Sequence, residues 1–122
     1  MKILVYGTQK FEDYPTFMRG LVVAIEENIV KQDSVIQVLT AGPRKINSYT
    51  AEFINRSENY FKQKKIRTKF TRVKYEDVLS NMESYDIDYV VSFNSKGDPE
   101  KLFDSILSKA EKLNIPASYY RY

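Results

Sequence analysis

Three apolar runs each end on small or polar residues able to hold an anion. Ile3-Leu4-Val5-Tyr6 leads into Gly7-Thr8-Gln9-Lys10, Val35-Ile36-Gln37-Val38-Leu39 into Thr40-Ala41-Gly42-Pro43-Arg44, and Tyr89-Val90-Val91-Ser92-Phe93 into Asn94-Ser95-Lys96-Gly97-Asp98. The chemistry on offer is recognition. Glycine lets backbone N–H groups approach a ligand, Thr, Gln, Asn and Ser side chains exchange single hydrogen bonds, and Arg44 carries a planar fork suited to phosphate or carboxylate. Lys45 adds a point charge beside it. Asp13 and Asp98 read as caps of the helices that follow; Asp98 would repel a phosphate placed at its own helix end.

Bond-breaking chemistry is narrowly bounded. The chain has no cysteine and no histidine, which removes thiolate nucleophiles, thiolate metal sites, imidazole bases and any His-dependent triad. Catalysis would fall to carboxylates, Lys, Tyr, Ser or Thr, or to a metal carried by the ligand. No acid/base pair stands out, so no catalytic residue is nominated, and no cofactor is specified.

The elements that must position these loops follow from periodicity. Residues 2–6 form a continuous β-branched strand of the kind buried in parallel sheets. Pro15 falls in the first turn of a helix carrying Phe17, Met18, Leu21, Val22, Ile25 and Ile29 at helical spacing. Residues 35–39 are the second strand. A helix capped by Asn47 or Ser48 runs to about Lys62, with Ala51, Phe53, Ile54 and Tyr60 or Phe61 inward. Residues 66–73 form the third strand, 76–82 a short helix with Val78, Leu79 and Met82 inward, and 89–93 the fourth strand. Pro99 opens a last helix with Leu102, Phe103, Ile106, Leu107, Ala110 and Leu113 as its stripe; Asn114 ends it, and 115–119 is the fifth strand. Strict alternation of strand and helix with short links predicts one domain over residues 1–122. Its class is α/β, Rossmann-like and doubly wound, with a mainly parallel five-stranded sheet and helices on both faces. In such a sheet all three loops gather at the carboxyl edge, where helix N-termini present backbone N–H groups and phosphorylated ligands bind.

Bulk properties agree. At 122 residues, 43% hydrophobic and 29% charged, the chain can bury a core without staples. No apolar run approaches the roughly 20 residues that span a bilayer, and Met1-Lys2 leads straight into a strand with no signal-type apolar region. The expected location is the cytoplasm, with no membrane partner. The net charge of +3 is uneven: Lys62, Lys64, Lys65, Arg67, Lys69, Arg72 and Lys74 crowd thirteen residues, interleaved with Ile66, Phe70 and Val73. Period-2 alternation explains this run as the solvent side of a half-buried strand, so nucleic acid is less expected than a small ligand.

Val5-Tyr6-Gly7-Thr8-Gln9-Lys10-Phe11-Glu12-Asp13-Tyr14 resembles the opening of the YspA/YpsA-related branch of the SLOG superfamily, where a first strand ends in Gly-Ser/Thr-Arg followed by Phe and an Asp or Asn. Ala41-Gly42-Pro43-Arg44-Lys45-Ile46-Asn47-Ser48 stands where that family carries Gly-Gly-Ala-Arg-Gly-Ala-Asp-Ser; Gly42, Arg44 and Ser48 match and the other five depart. Ser95-Lys96-Gly97 occupies the place of the second glycine loop, and Lys109-Ala110 through Ile115-Pro116 is similar to the closing helix–strand pattern. The resemblance implies a Rossmann-like sheet and a nucleotide or nucleotide-derived ligand. Loops and resemblance together nominate Gly7, Thr8, Gln9, Lys10, Gly42, Arg44, Lys45, Ser48, Asn94 and Gly97 as ligand-binding.

The departures have physical meaning. Pro43 removes a backbone donor, and Lys45-Ile46 fills space that glycine and alanine leave open; Arg44 and Lys45 can replace lost donors with charge. The superfamily's phosphoribohydrolases carry Pro-Gly-Gly-x-Gly-Thr-x-x-Glu in the second loop, where Gly97-Asp98-Pro99-Glu100-Lys101 places Lys101 at the catalytic glutamate. Glu100 is one residue off, a rotation of about 100° at a helix start. Hydrolysis by that route is not expected.

The expected function is therefore a small non-enzymatic domain that binds a nucleotide-derived ligand at the carboxyl edge, as a sensor or a sponge. An interaction protein with a decayed pocket that binds another macromolecule, and a carboxylate- or lysine-based nucleotide hydrolase, stay open beside it. Tyr119, Tyr120 and Tyr122 around Arg121 suggest a homo-oligomer contact.

Overall fold

The computed structural model describes residues 1–28, 35–97 and 104–121. Five strands, β1 (Lys2–Gly7), β2 (Val35–Thr40), β3 (Arg67–Arg72), β4 (Tyr89–Asn94) and β5 (Ala117–Arg121), form one sheet in the order β3-β2-β1-β4-β5. Every neighbouring pair is parallel: Ile3 lies beside Val38 and Tyr89, Val38 beside Phe70, and Val90 beside Ala117. The doubly wound α/β reading holds.

Helices α1 (Tyr14–Asn28) and α2 (Arg44–Gln63) cover one face, and α3 (Tyr75–Ser80) and α4 (Asp104–Lys112) the other. Right-handed crossovers require this division, because the chain moves outward from β1 to β3 and then returns past it to β4 and β5. Two cores result. Ile3, Val5, Ile36, Val38, Val91 and Phe93 meet Phe17, Leu21, Ile25, Phe53 and Phe61 on the first face; Leu4, Tyr6, Leu39 and Val90 meet Val78, Met82, Ile106 and Ala110 on the second. Ile3, Val5, Ile36, Val38, Val90 and Val91 are fully buried.

Local departures have local causes. In α1 the Asp13 carboxylate accepts the Thr16 N–H, the reciprocal of a missing helical bond, but Met18 faces solvent and Gly20 takes an inward place; a Cβ there would meet the Phe93 ring at 2.8 Å. Ile29 lies outside the described residues, as do Asp98, Pro99, Leu102, Phe103 and Tyr122. In α2, Ile46, Thr50, Phe53 and Phe61 point inward, whereas Tyr60 is exposed and Ala51 and Ile54 are partly covered. The short helix ends at Ser80, and Met82–Tyr85 continues as a 3₁₀ turn closed by Asp86 at φ 53°. The last strand starts two residues later than its apolar pattern suggests. Asn114, at φ 58°, ends the preceding turn, and Ile115 still donates to the Ala110 carbonyl.

The third strand differs most from expectation. An alternating strand should bury every second residue, yet Phe70 is 37% exposed and Arg67, Lys69, Thr71 and Arg72 are also exposed. As the sheet's edge, β3 has β2 as its one neighbour in the sheet.

Candidate functional site

Neighbouring strands β1 and β4 leave the sheet toward opposite faces, and their carboxyl ends form the crevice where doubly wound folds hold ligands. Here the chain's own bonds tie that crevice together. Gly7 N–H donates to the Gly42 carbonyl (3.1 Å), Thr8 N–H to the Phe93 carbonyl (3.0 Å) and Ser95 N–H to Thr8 Oγ1 (2.9 Å). Lys10 Nζ reaches the Gly97 carbonyl at 3.3 Å, and Gly97 N–H donates to Ser95 Oγ at 3.1 Å. Asn94 is buried and its Nδ2 donates to Ser92 Oγ. Gly7 is glycine for packing reasons: a Cβ would lie 2.3 Å from the Phe93 carbonyl oxygen and 2.9 Å from Ile46 Cδ1. Gln9 stands exposed at the rim.

The loop after β2 is built differently. Gly42 takes φ +86°, a conformation that favours glycine, and the direction its Cβ would occupy is open for 4 Å. The Gly42–Pro43 peptide is cis. Helix α2 then starts at Arg44, three residues before the expected cap, because Asn47 acts from inside the helix. Its Oδ1 accepts both the Gly42 N–H (2.9 Å) and the Thr40 hydroxyl (2.8 Å), pinning the loop to the first turn. Thr50 Oγ1 lies 3.2 Å from Thr40 Oγ1 and donates to the Ile46 carbonyl at 2.9 Å, extending this network into the core.

Asn47 is thus committed to the loop, and Pro43, at the cap position, provides no side-chain bond. The first intrahelical bond of the turn is Asn47 N–H to the Pro43 carbonyl at 3.0 Å, so the N–H groups of Arg44, Lys45 and Ile46 precede it at an uncapped end. Gly42, Pro43, Arg44, Asn47, Ser48 and Arg72 line a cleft of about 550 Å³ at this end. Arg44 and Arg72 are exposed, and neither has a carboxylate partner among the described residues. The cleft lining contains guanidinium, hydroxyl, amide and backbone groups but no carboxylate. Two full positive charges and the partial charge of the helix end, roughly half a unit, converge on it. Lys45 turns away and bridges Glu12 at 3.2 Å, beside the Tyr49 hydroxyl bonded to the Glu12 carbonyl.

The nominated residues therefore separate into two groups. Gly42, Arg44 and Ser48 share the α2 cleft; Thr8, Lys10, Asn94 and Gly97 belong to the tied β1/β4 crevice, with Gly7 linking the two. Arg72 was missed. Strand phase was available to find it, since Thr40 and Arg72 are register partners and both stand at strand ends. Asn47, expected at the boundary of the helix, is an internal brace. Among the described residues no cluster of three or more Asp or Glu could hold a metal, and no helix is long and apolar enough to cross a membrane. A larger hollow of about 770 Å³ lies at the other end of the sheet, far from these loops. Comparison with family models, curated proteins and solved structures finds no match.

Proposed function

We propose that this chain binds a small phosphorylated, nucleotide-derived ligand in the α2 cleft without transforming it, serving as a sensor or sponge in the cytoplasm. The observation that carries this reading is the uncapped α2 N-terminus facing a cleft lined by Arg44, Arg72 and Ser48 with no carboxylate. A cleft of about 550 Å³ suits a ligand of nucleotide size. Placement in the SLOG superfamily belongs to the same proposal and is supported by Gly42, Arg44 and Ser48 falling together. The pocket has moved outward from the β1/β4 crevice: Lys45 is paired with Glu12, while Arg72 supplies the second cation from the edge strand.

Thermal unfolding against nucleotides, ADP-ribose derivatives and cyclic dinucleotides tests it. A member of that panel at about 100 Kd should add roughly 2.7 kcal/mol of stability, a rise of several degrees. Arg44→Ala should weaken binding by more than about 1 kcal/mol and shrink the shift accordingly, and Lys69→Ala should matter much less. A flat panel, or equal loss in both variants, contradicts the reading. Self-association is part of the same proposal and centres on Tyr119, which is 44% exposed on edge strand β5.

A further inference from the structure

The edge strand β3 and the end of α2 form a second cationic surface that the α2 cleft does not use. Its hollow of about 770 Å³ is lined by Lys62, Lys65, Arg67 and Lys69, with Val35, Glu58, Ile66 and Thr68 completing the wall. Four cations against one carboxylate leave +3, and that carboxylate is already engaged, since Glu58 bridges Lys62 at 3.1 Å. Lys65, Arg67 and Lys69 have no carboxylate partner among the described residues. On the adjoining sheet face Lys2, Gln37 and Lys69 are register partners, which extends the cationic surface inward across three strands.

Two observations distinguish this surface from an ordinary solvated strand. First, alternation accounts for Arg67 and Lys69 alone; Lys62 belongs to the end of α2 and Lys65 to the turn that leaves it, yet all four cations line the same hollow. Second, Lys65 sits at φ 60°, where the chain leaves α2 with Ile66 N–H bonded to the Phe61 carbonyl. Glycine is the residue favoured in that conformation, and a lysine there is strained. A cation stands where backbone geometry favours glycine.

We propose that this surface docks the phosphate backbone of a nucleic acid duplex, without reading its sequence. Charge complementarity selects a polyanion, and a second copy of this chain would bring like charges together. The hollow has no aromatic lining residue, so the stacking platforms of single-strand binders are lacking there; its apolar part is the exposed Val35 and the buried Ile66. Interfaces with duplexes are strongly positive, and this lining carries four cations.

The test is fluorescence anisotropy of the full chain with two labelled 20-base-pair DNA duplexes of unrelated sequence, roughly two helical turns each, alongside the matching single strand and a polyglutamate peptide. Both duplexes should bind alike. Three neutralised phosphates predict a salt slope near −2.7 and a loss of about forty-fold between 50 and 200 mM salt. The double variant Arg67→Glu/Lys69→Glu should lower duplex affinity at least about tenfold, and Arg44→Ala should leave it unchanged. Lys65→Gly should raise the melting temperature yet weaken binding and reduce the slope by about one, which separates lost charge from lost fold. Absent duplex binding at low salt, tighter binding of the single strand or the peptide, or indifference to the double variant would overturn the proposal.

Discussion

Asn47 shows how one side chain can shape a cleft from inside the helix that borders it. Its amide oxygen holds the Gly42 N–H and the Thr40 hydroxyl, which leaves the α2 end uncapped. Asn47→Ala should cost about 1–3 kcal/mol in denaturant unfolding, because a half-buried acceptor for two donors is lost. Asn47→Asp keeps the acceptor, so the fold should survive; the new negative charge beside Arg44 should still weaken an anionic ligand at least about tenfold in calorimetric titration. Equal ligand affinity in Asn47→Asp and wild type would remove the electrostatic reading of the cleft. Gly7→Ala tests a different cause. A Cβ only 2.3 Å from the Phe93 carbonyl oxygen forces β1 and β4 apart, with an expected cost of about 1–3 kcal/mol in the same unfolding measurement. At this scale the sequence was legible where a residue type has few alternative uses, as with Gly42 and Arg44. It was not legible for Lys45, whose direction depends on Glu12, thirty-three positions away in the chain.

Helices α1 and α2 are joined at their solvent edges by a small clasp. Glu26 accepts from the Tyr60 hydroxyl at 2.5 Å and from Lys64 Nζ at 2.9 Å, and Lys64 also lies over the Tyr60 ring. The Tyr60 hydrogen bond, and then the Lys64 one, hold the Glu26 carboxyl below its ordinary value. A lowered carboxylate pKa means the folded state binds its proton less readily than the unfolded chain. The stability from this clasp is therefore complete above the ordinary glutamate range and is lost as pH falls through the lowered value. Glu26→Gln should flatten that acid limb of the unfolding curve with a small effect at neutral pH, since exposed pairs contribute little; an unchanged limb would dismiss the clasp. The positions of β1, β2 and β4 in the chain were readable because these strands are largely buried and nearly all apolar. Element ends were not. The start of α2 depends on Asn47 reaching back to Gly42, and the exposure of β3 depends on its place in the sheet, which local pattern does not encode.

Two cationic hollows lie at opposite ends of one sheet. The α2 cleft lies at the carboxyl edge and the β3 hollow at the amino end, so a small ligand and a polyanion would not compete for the same groups. The C-terminal tyrosines, expected as one patch, diverge. Tyr120 stacks on Phe93 at 5.4 Å between ring centres, while Tyr119 is 44% exposed from the other side of β5. Truncation after Ala117 would remove most of a sheet strand along with any contact, so Tyr119→Ser is the cleaner change. If Tyr119 holds copies together, sedimentation of this variant at tens of micromolar should move toward the 14.3 kDa monomer while the full-length wild type stays larger; a monomeric wild type ends the oligomer proposal. The central claim is the position of the anion site, and the most direct measurement is an amide-resolved NMR titration of the full chain with inorganic pyrophosphate. The account predicts saturable shifts at Gly42, Arg44, Lys45 and Ile46 that vanish in Arg44→Ala. Shifts confined to Thr8–Lys10 and Ser95–Gly97, or spread evenly over Arg67 and Lys69, would contradict it.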